Sequence, residues 1–137
     1  MAYLLDTNVV SELRKQAPDE NVAAWHRRNA AADAYVSVLT LGEIRQGIER
    51  IRRRDAPHAG VLDRWLERLA TVYRDRVLTV SADIADEWGR LQAFDPPPAI
   101  DGLIAATAKV HHLVLVTRNV RDVARTGVQL VNPFEPT

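Results

Sequence analysis

The sequence predicts an α/β fold: one domain with a central, mostly parallel β-sheet flanked by helices on both faces. Three observations carry this. Short apolar runs alternate with stretches of helical periodicity, the pattern of parallel strands joined by helical crossovers. The apolar runs lack strict in-out alternation, as expected of strands covered on both sides. The chain has 137 residues and no repeat, low-complexity tract or dividing linker, so a single domain over residues 1–137 is expected.

The elements follow in order. "AYLLD" (2–6) is a short buried strand that ends in Asp6. Helical periodicity runs from Asn8 to Arg14 and again from Asn21 to Ala31. "AYVSV" (34–38) is the second strand. A helix follows from Leu41 to Arg53, and Thr40-Leu41-Gly42-Glu43 reads as its capping box. From Ala59 to Tyr73, Leu62, Trp65, Leu66 and Leu69 form a helical stripe, a core or packing face. "RVLTV" (76–80) is the third strand, followed by a helix from Ala82 to Phe94. "DPPPAID" (95–101) stops that helix and sets up the next, Ile100 to His111, because proline is tolerated in a first turn. "HLVLVT" (112–117), a short helix from Val120 to Arg125, and "VQLVN" (128–132) complete the pattern. Trp25 and Trp88 fall in helical stretches and read as packing residues.

Composition excludes several classes. Without cysteine there are no disulfides, thiolate nucleophiles or zinc-thiolate sites. No apolar run reaches ~18 residues, so no transmembrane helix is expected. No basic segment leads into an apolar one at the start, so a cytoplasmic protein is expected. The formal net charge is zero, which by itself argues against a nucleic-acid binder. The basic residues are nonetheless clustered, at "HRR" (26–28) and "RIRRR" (50–54). Such arginines suit phosphates, and equally suit the negative ends of helices.

The acids give the strongest chemical signal. Ligands of open α/β sheets bind outside the carboxyl ends of the strands. Asp6 ends the first strand, Glu43 falls in the first turn after the second, and Asp122 follows the fourth by a few residues. Asp101 follows a helix, so its place at that edge is less directly predicted. Each acid also has a capping or turn explanation. Four carboxylates gathered at one edge would repel until one protonated or a cation entered. All-oxygen ligands suit Mg²⁺ or Mn²⁺, which can activate water for attack on a phosphodiester. Thr7, Asn8, Ser37, Thr117 and Asn119 lie beside the acids, where they can position them or serve as caps. There is no Walker A, G-x-G-x-x-G or G-x-S-x-G pattern.

"YLLDTNVVSEL", "SVLTLGEIRQGI", "DGLIAATA" and "LVLVTRNVRDVARTGVQLVNPF" occur in this order and at this spacing. Together they resemble the PIN-domain family, and specifically the VapC and FitB-like toxins of type II toxin–antitoxin systems, over essentially the whole chain. The resemblance implies a PIN-like, Rossmann-like fold and a Mg²⁺/Mn²⁺-dependent endoribonuclease leaving 5′-phosphate and 3′-hydroxyl ends. It implies a homodimer held inactive by a cognate antitoxin, with DNA met only through that antitoxin. Asp6, Glu43 and Asp101 match the three main family acids, and Asp122 the variable fourth. Thr117 and Asn119 match polar positions near the family's site. Val123 stands where many relatives have phenylalanine, a departure that leaves Asp122 in place. By the same resemblance, Ile44, Ile48 and Ile51 beside the Leu62–Leu69 stripe are candidates for interface.

Other Mg²⁺ α/β domains fit less well. A receiver-like phosphoacceptor needs an acidic doublet after the first strand and a lysine after a late one, but Asp6 has no acidic neighbour and Lys109 lies within a helix. A D-x-D phosphatase needs an acid where Asn8 stands. A noncatalytic binding partner that has kept only the fold is the third alternative.

Overall fold

The computed structural model describes residues 1–136. Its centre is a five-stranded sheet in the order β3-β2-β1-β4-β5. The strands are β1 (Ala2–Leu5), β2 (Asp33–Ser37), β3 (Val77–Leu78), β4 (Val114–Val116) and β5 (Leu130–Val131). All four pairings are parallel. β1 lies in the middle, with Leu4 against Tyr35 on one side and Leu115 on the other. The edge strands β3 and β5 are two residues long, which leaves little unpaired backbone to template aggregation.

Seven helices cover the sheet: α1 (Thr7–Leu13), α2 (Glu20–Arg28), α3 (Val38–Arg52), α4 (Ala56–Val72), α5 (Ala82–Gln92), α6 (Ala99–Val110) and α7 (Val120–Val123). The pleat of β1 divides the core. Tyr3 and Leu5 face a cluster built with Val9, Trp25, Ile44, Ile48, Leu62 and Leu66, from α1 to α4. Leu4 faces the other way, onto Ile104, Ala105 and Ala108 of α6 and Val123 of α7. Trp25 is buried against Tyr3, edge to face at 5.1 Å. No helix among the described residues is long and apolar enough to cross a membrane.

Two sequence expectations need correction. α3 begins at Val38 directly from β2, with Ser37 as its cap: the Ser37 hydroxyl accepts from the Leu39 amide at 3.0 Å. Thr40 is therefore buried inside the helix and is no N-cap, and Glu43 lies beyond the first turn. The apolar Val38 suits strand and helix alike, which hid the boundary. The second concerns the expected interface. Ile44, Ile48, Leu62 and Leu66 are buried where α3 meets α4 and belong to the core, while Ile51, Trp65 and Leu69 pack against them and stay partly exposed.

Candidate functional site

The strand order reverses at β1: β2 lies to one side and β4 to the other. At such a switch point the loops leaving the two strands diverge and open a crevice at their carboxyl ends. Asp6 leaves β1 there, and Thr117 leaves β4. The Asp6 amide extends the ladder by donating to the Val116 carbonyl at 2.9 Å. The Thr117 hydroxyl donates to Asp6 Oδ2 at 2.7 Å, while Asp6 Oδ1 accepts from the Thr7 amide at 2.7 Å. Asp6 is thus both the cap of α1 and a buried carboxylate pinned across the crevice. Burial pushes its pKa up, and these two hydrogen bonds pull it back.

Around this pair the small polar residues form a connected set. Thr117 Oγ1 accepts from the Asn119 amide at 2.9 Å and lies 3.4 Å from Asn8 Nδ2. Asn8 Oδ1 accepts from the Arg118 amide at 3.2 Å, tying the start of α1 to the loop after β4. The Thr7 hydroxyl donates to Glu43 Oε1 at 2.6 Å and lies 3.1 Å from Thr40 Oγ1. This fixes the Glu43 carboxylate beside the first turn of α1. Thr40 belongs to this set, a role the capping-box reading concealed; its position one turn before Glu43 on the same helix face was the available signal. Ser37 is turned to the cap of α3.

Asp101 enters from the opposite layer. A crossover helix runs antiparallel to its strands, so the N-terminus of α6 lies at the sheet's carboxyl edge, and Asp101 is in its first turn. Two contacts set that turn against α5. Trp88 Nε1 donates to the Ala99 carbonyl at 3.2 Å. Gly102 allows the close approach, since a Cβ there would meet Gln92 Oε1 and Pro97 Cγ at 3.3 Å. The Asp101 carboxyl is pushed up to about 6, first by burial and then by the charges of Asp6, Asp122 and Glu43. A helix N-terminus favours an anion in its first turn. Here burial and the three neighbouring carboxylates outweigh it.

All four sequence-predicted acids therefore meet at one edge. As they stand, no three histidine, aspartate or glutamate side chains among the described residues are drawn in closely enough to close on a single ion. The donor chemistry still fits a hard divalent cation: every ligand is oxygen, and the mutual repulsion that raises Asp101 is what a cation relieves. Asp6, Glu43, Asp101 and Asp122 would hold it.

Known proteins are similar to this chain in sequence and fold. The PIN-domain family model matches residues 3–128, from β1 past α7 and through all four acids. Toxin FitB of Neisseria gonorrhoeae is 31% identical, with 96% of this chain and 97% of FitB covered. VapC ribonuclease Y4jK of Sinorhizobium fredii is 33% identical, with 97% and 98% covered. The crystal structure of FitAcB from Neisseria gonorrhoeae gives a TM-score of 0.88 at 31% identity, covering 98% of this chain and 99% of that one. VapBC2 of Rickettsia felis, solved with a promoter DNA fragment, is 21% identical with a TM-score of 0.75, covers 96% of this chain and 98% of that one, and so speaks to the fold alone. By its matched length and these relatives, the chain belongs to the PIN-domain family.

Proposed function

We propose that this PIN domain is the toxin of a type II toxin–antitoxin pair, and that it is a Mg²⁺- or Mn²⁺-dependent endoribonuclease. The observation that carries the chemistry is the placement of the acids: Asp6 is held by Thr117 at 2.7 Å at the switch point, Glu43 by Thr7 at 2.6 Å beside it, and Asp101 feels the charges of Asp6, Asp122 and Glu43 from the layer of α6. A bound divalent cation would supply a water of lowered pKa and positive charge opposite the phosphodiester. The chain's own groups do the positioning. Thr117 and the Thr7 amide hold Asp6, the Thr7 hydroxyl holds Glu43, and Asn8 braces the loop that carries Thr117. Water attack that expels the 3′ oxygen would leave 5′-phosphate and 3′-hydroxyl ends, the outcome the family resemblance implies.

The toxin assignment is supported by relatives named toxin FitB and VapC ribonuclease, and by the FitAcB and FitAB structures, the latter bound to a DNA fragment. The partners are then an RNA substrate, a cognate antitoxin encoded immediately upstream, a second copy of the chain, and DNA through the antitoxin.

The test is cleavage of labelled RNA with Mn²⁺. Asp6→Ala and Asp101→Ala should each lose cleavage by orders of magnitude while melting cooperatively like wild type, and EDTA should silence the wild-type protein. Full activity in EDTA, or in either variant, would sink the mechanism.

A further inference from the structure

Asp122 faces two ways. Its charge bears on Asp101 in the acid cluster, and it also lines a cleft of about 400 Å³ between the α5–α6 loop and α7. Arg90, Phe94, Arg121 and Arg125 line the same cleft. Phe94 is 88% exposed, so a whole phenyl ring stands in water at its rim. The backbone holds it there. Asp95 sits at φ 50°, a left-handed conformation uncommon outside glycine, and Pro96, Pro97 and Pro98 follow. Asp95 is ion-paired to Arg125 on the other side. The ring is presented by a stiff loop, so little freedom remains to be lost when something stacks on it.

The arginines are not equivalent. Arg90 is paired with Asp86 and Glu87 on its own helix, and Arg125 with Asp95. Arg121 has no ion-pair partner among the described residues and is exposed next to Asp122. An open aromatic ring and an unpaired guanidinium, in a cleft that shares Asp122 with the acid cluster, match the two recognition elements of a single strand: a base face and a phosphate.

We propose that this cleft seats the nucleotide next to the phosphodiester at the acids, with Phe94 stacking on its base and Arg121 binding its phosphate. The proposal rests on the ribonuclease reading for the nature of the strand.

Fluorescence anisotropy in EDTA tests it without cleavage, using short labelled oligoadenylate and an abasic strand of equal length. Phe94→Ala should weaken oligoadenylate about tenfold and leave the abasic strand unchanged, while Phe94→Trp restores binding. Arg121→Gln should weaken both strands and flatten the dependence of log affinity on log salt by about 0.7, one phosphate's worth on a single strand. Wild-type protein that binds neither strand, or both alike, overturns the proposal. So does an Arg121→Gln protein with an unchanged salt slope, or a Phe94→Ala protein whose sedimentation changes while its RNA affinity does not; the last would make the ring a protein contact. The two readings fail separately. RNA bound with these dependences but uncut in Mn²⁺ defeats the ribonuclease and leaves the cleft. RNA cut without regard to Phe94 and Arg121 does the reverse.

Discussion

Asp101 is where a capping role and a site role predict opposite outcomes. As a helix-terminus anion, its charge would stabilise the protein by about 0.3–1 kcal/mol, and neutralising it would cost that much. As a half-buried member of an acid cluster, its charge is a burden. Its ordinary value of 3.8 is pushed up to about 6, so between those values the folded protein binds a proton that the unfolded chain has released. The metal-free fold therefore gains stability from this group as pH falls from about 6 toward 4, and bears the full penalty above 6. Asp101→Asn should leave the apoprotein as stable as wild type at neutral pH, or more so by ~1 kcal/mol after discounting for the solvent that screens the carboxylate. It should also flatten the pH dependence between 4 and 6 and lose most of the stabilisation that Mn²⁺ confers. Thermal melts of both proteins in EDTA and in millimolar Mn²⁺ check this. A destabilised variant with an unchanged metal shift would return Asp101 to the role of a cap. The acids were legible in the sequence as residues at predicted strand ends. Thr7 and Thr117 were legible as residues able to position acids; that Thr7 holds Glu43 with Thr40 beside it, and Thr117 holds Asp6, was not, because each contact joins segments far apart in the chain.

At the level of elements, nearly every strand and helix was readable, and the errors fall at boundaries with a physical cause. The sequence reading ran β2 to Val38 and started the next helix at Leu41, whereas the chain passes from strand to helix without a loop at Ser37. This has a measurable consequence. Ser37→Ala should cost about 1 kcal/mol, lowering the melting temperature by roughly 3–5 °C and speeding hydrogen exchange at the Leu39 amide. Thr40→Ala should leave that amide as protected as in wild type. The reverse order would restore the capping box. α4 was read from Ala59 but begins at Ala56, with Asp55 capping the His58 amide at 3.1 Å and proline in the first turn. That signature precedes the apolar stripe, so periodicity alone starts the helix too late. β3 and β5 were read as five-residue strands and are two residues long. An edge strand has one neighbour to pair with, so apolar periodicity overstates its length.

For the molecule as a whole, strand order settles what element type leaves open. A receiver-like domain also alternates strands and helices, but its order is 2-1-3-4-5. The order here is β3-β2-β1-β4-β5, which puts the switch point between β1 and β4, at Asp6 and Thr117. Assembly is tested at this scale too. Analytical ultracentrifugation should find a homodimer at micromolar concentration, and co-expression with the product of the upstream gene should give a stable complex that does not cut RNA. A monomer at high micromolar concentration, or a neighbour that neither binds nor neutralises, would count against these partners. Val61 and Val72 of α4 and Ile100 are exposed, and Ile51, Trp65 and Leu69 are partly so, which leaves apolar surface for such an assembly. The sequence by itself determined the α/β class, the family resemblance and the four acids, because periodicity and motif spacing are local properties of the chain. Only the tertiary structure decided that the acids meet, that Asp101 reaches them from the far layer, and that Phe94 and Arg121 share a cleft with Asp122. Convergence depends on which strands pair and which face each helix covers, and those are set by packing between segments a hundred residues apart.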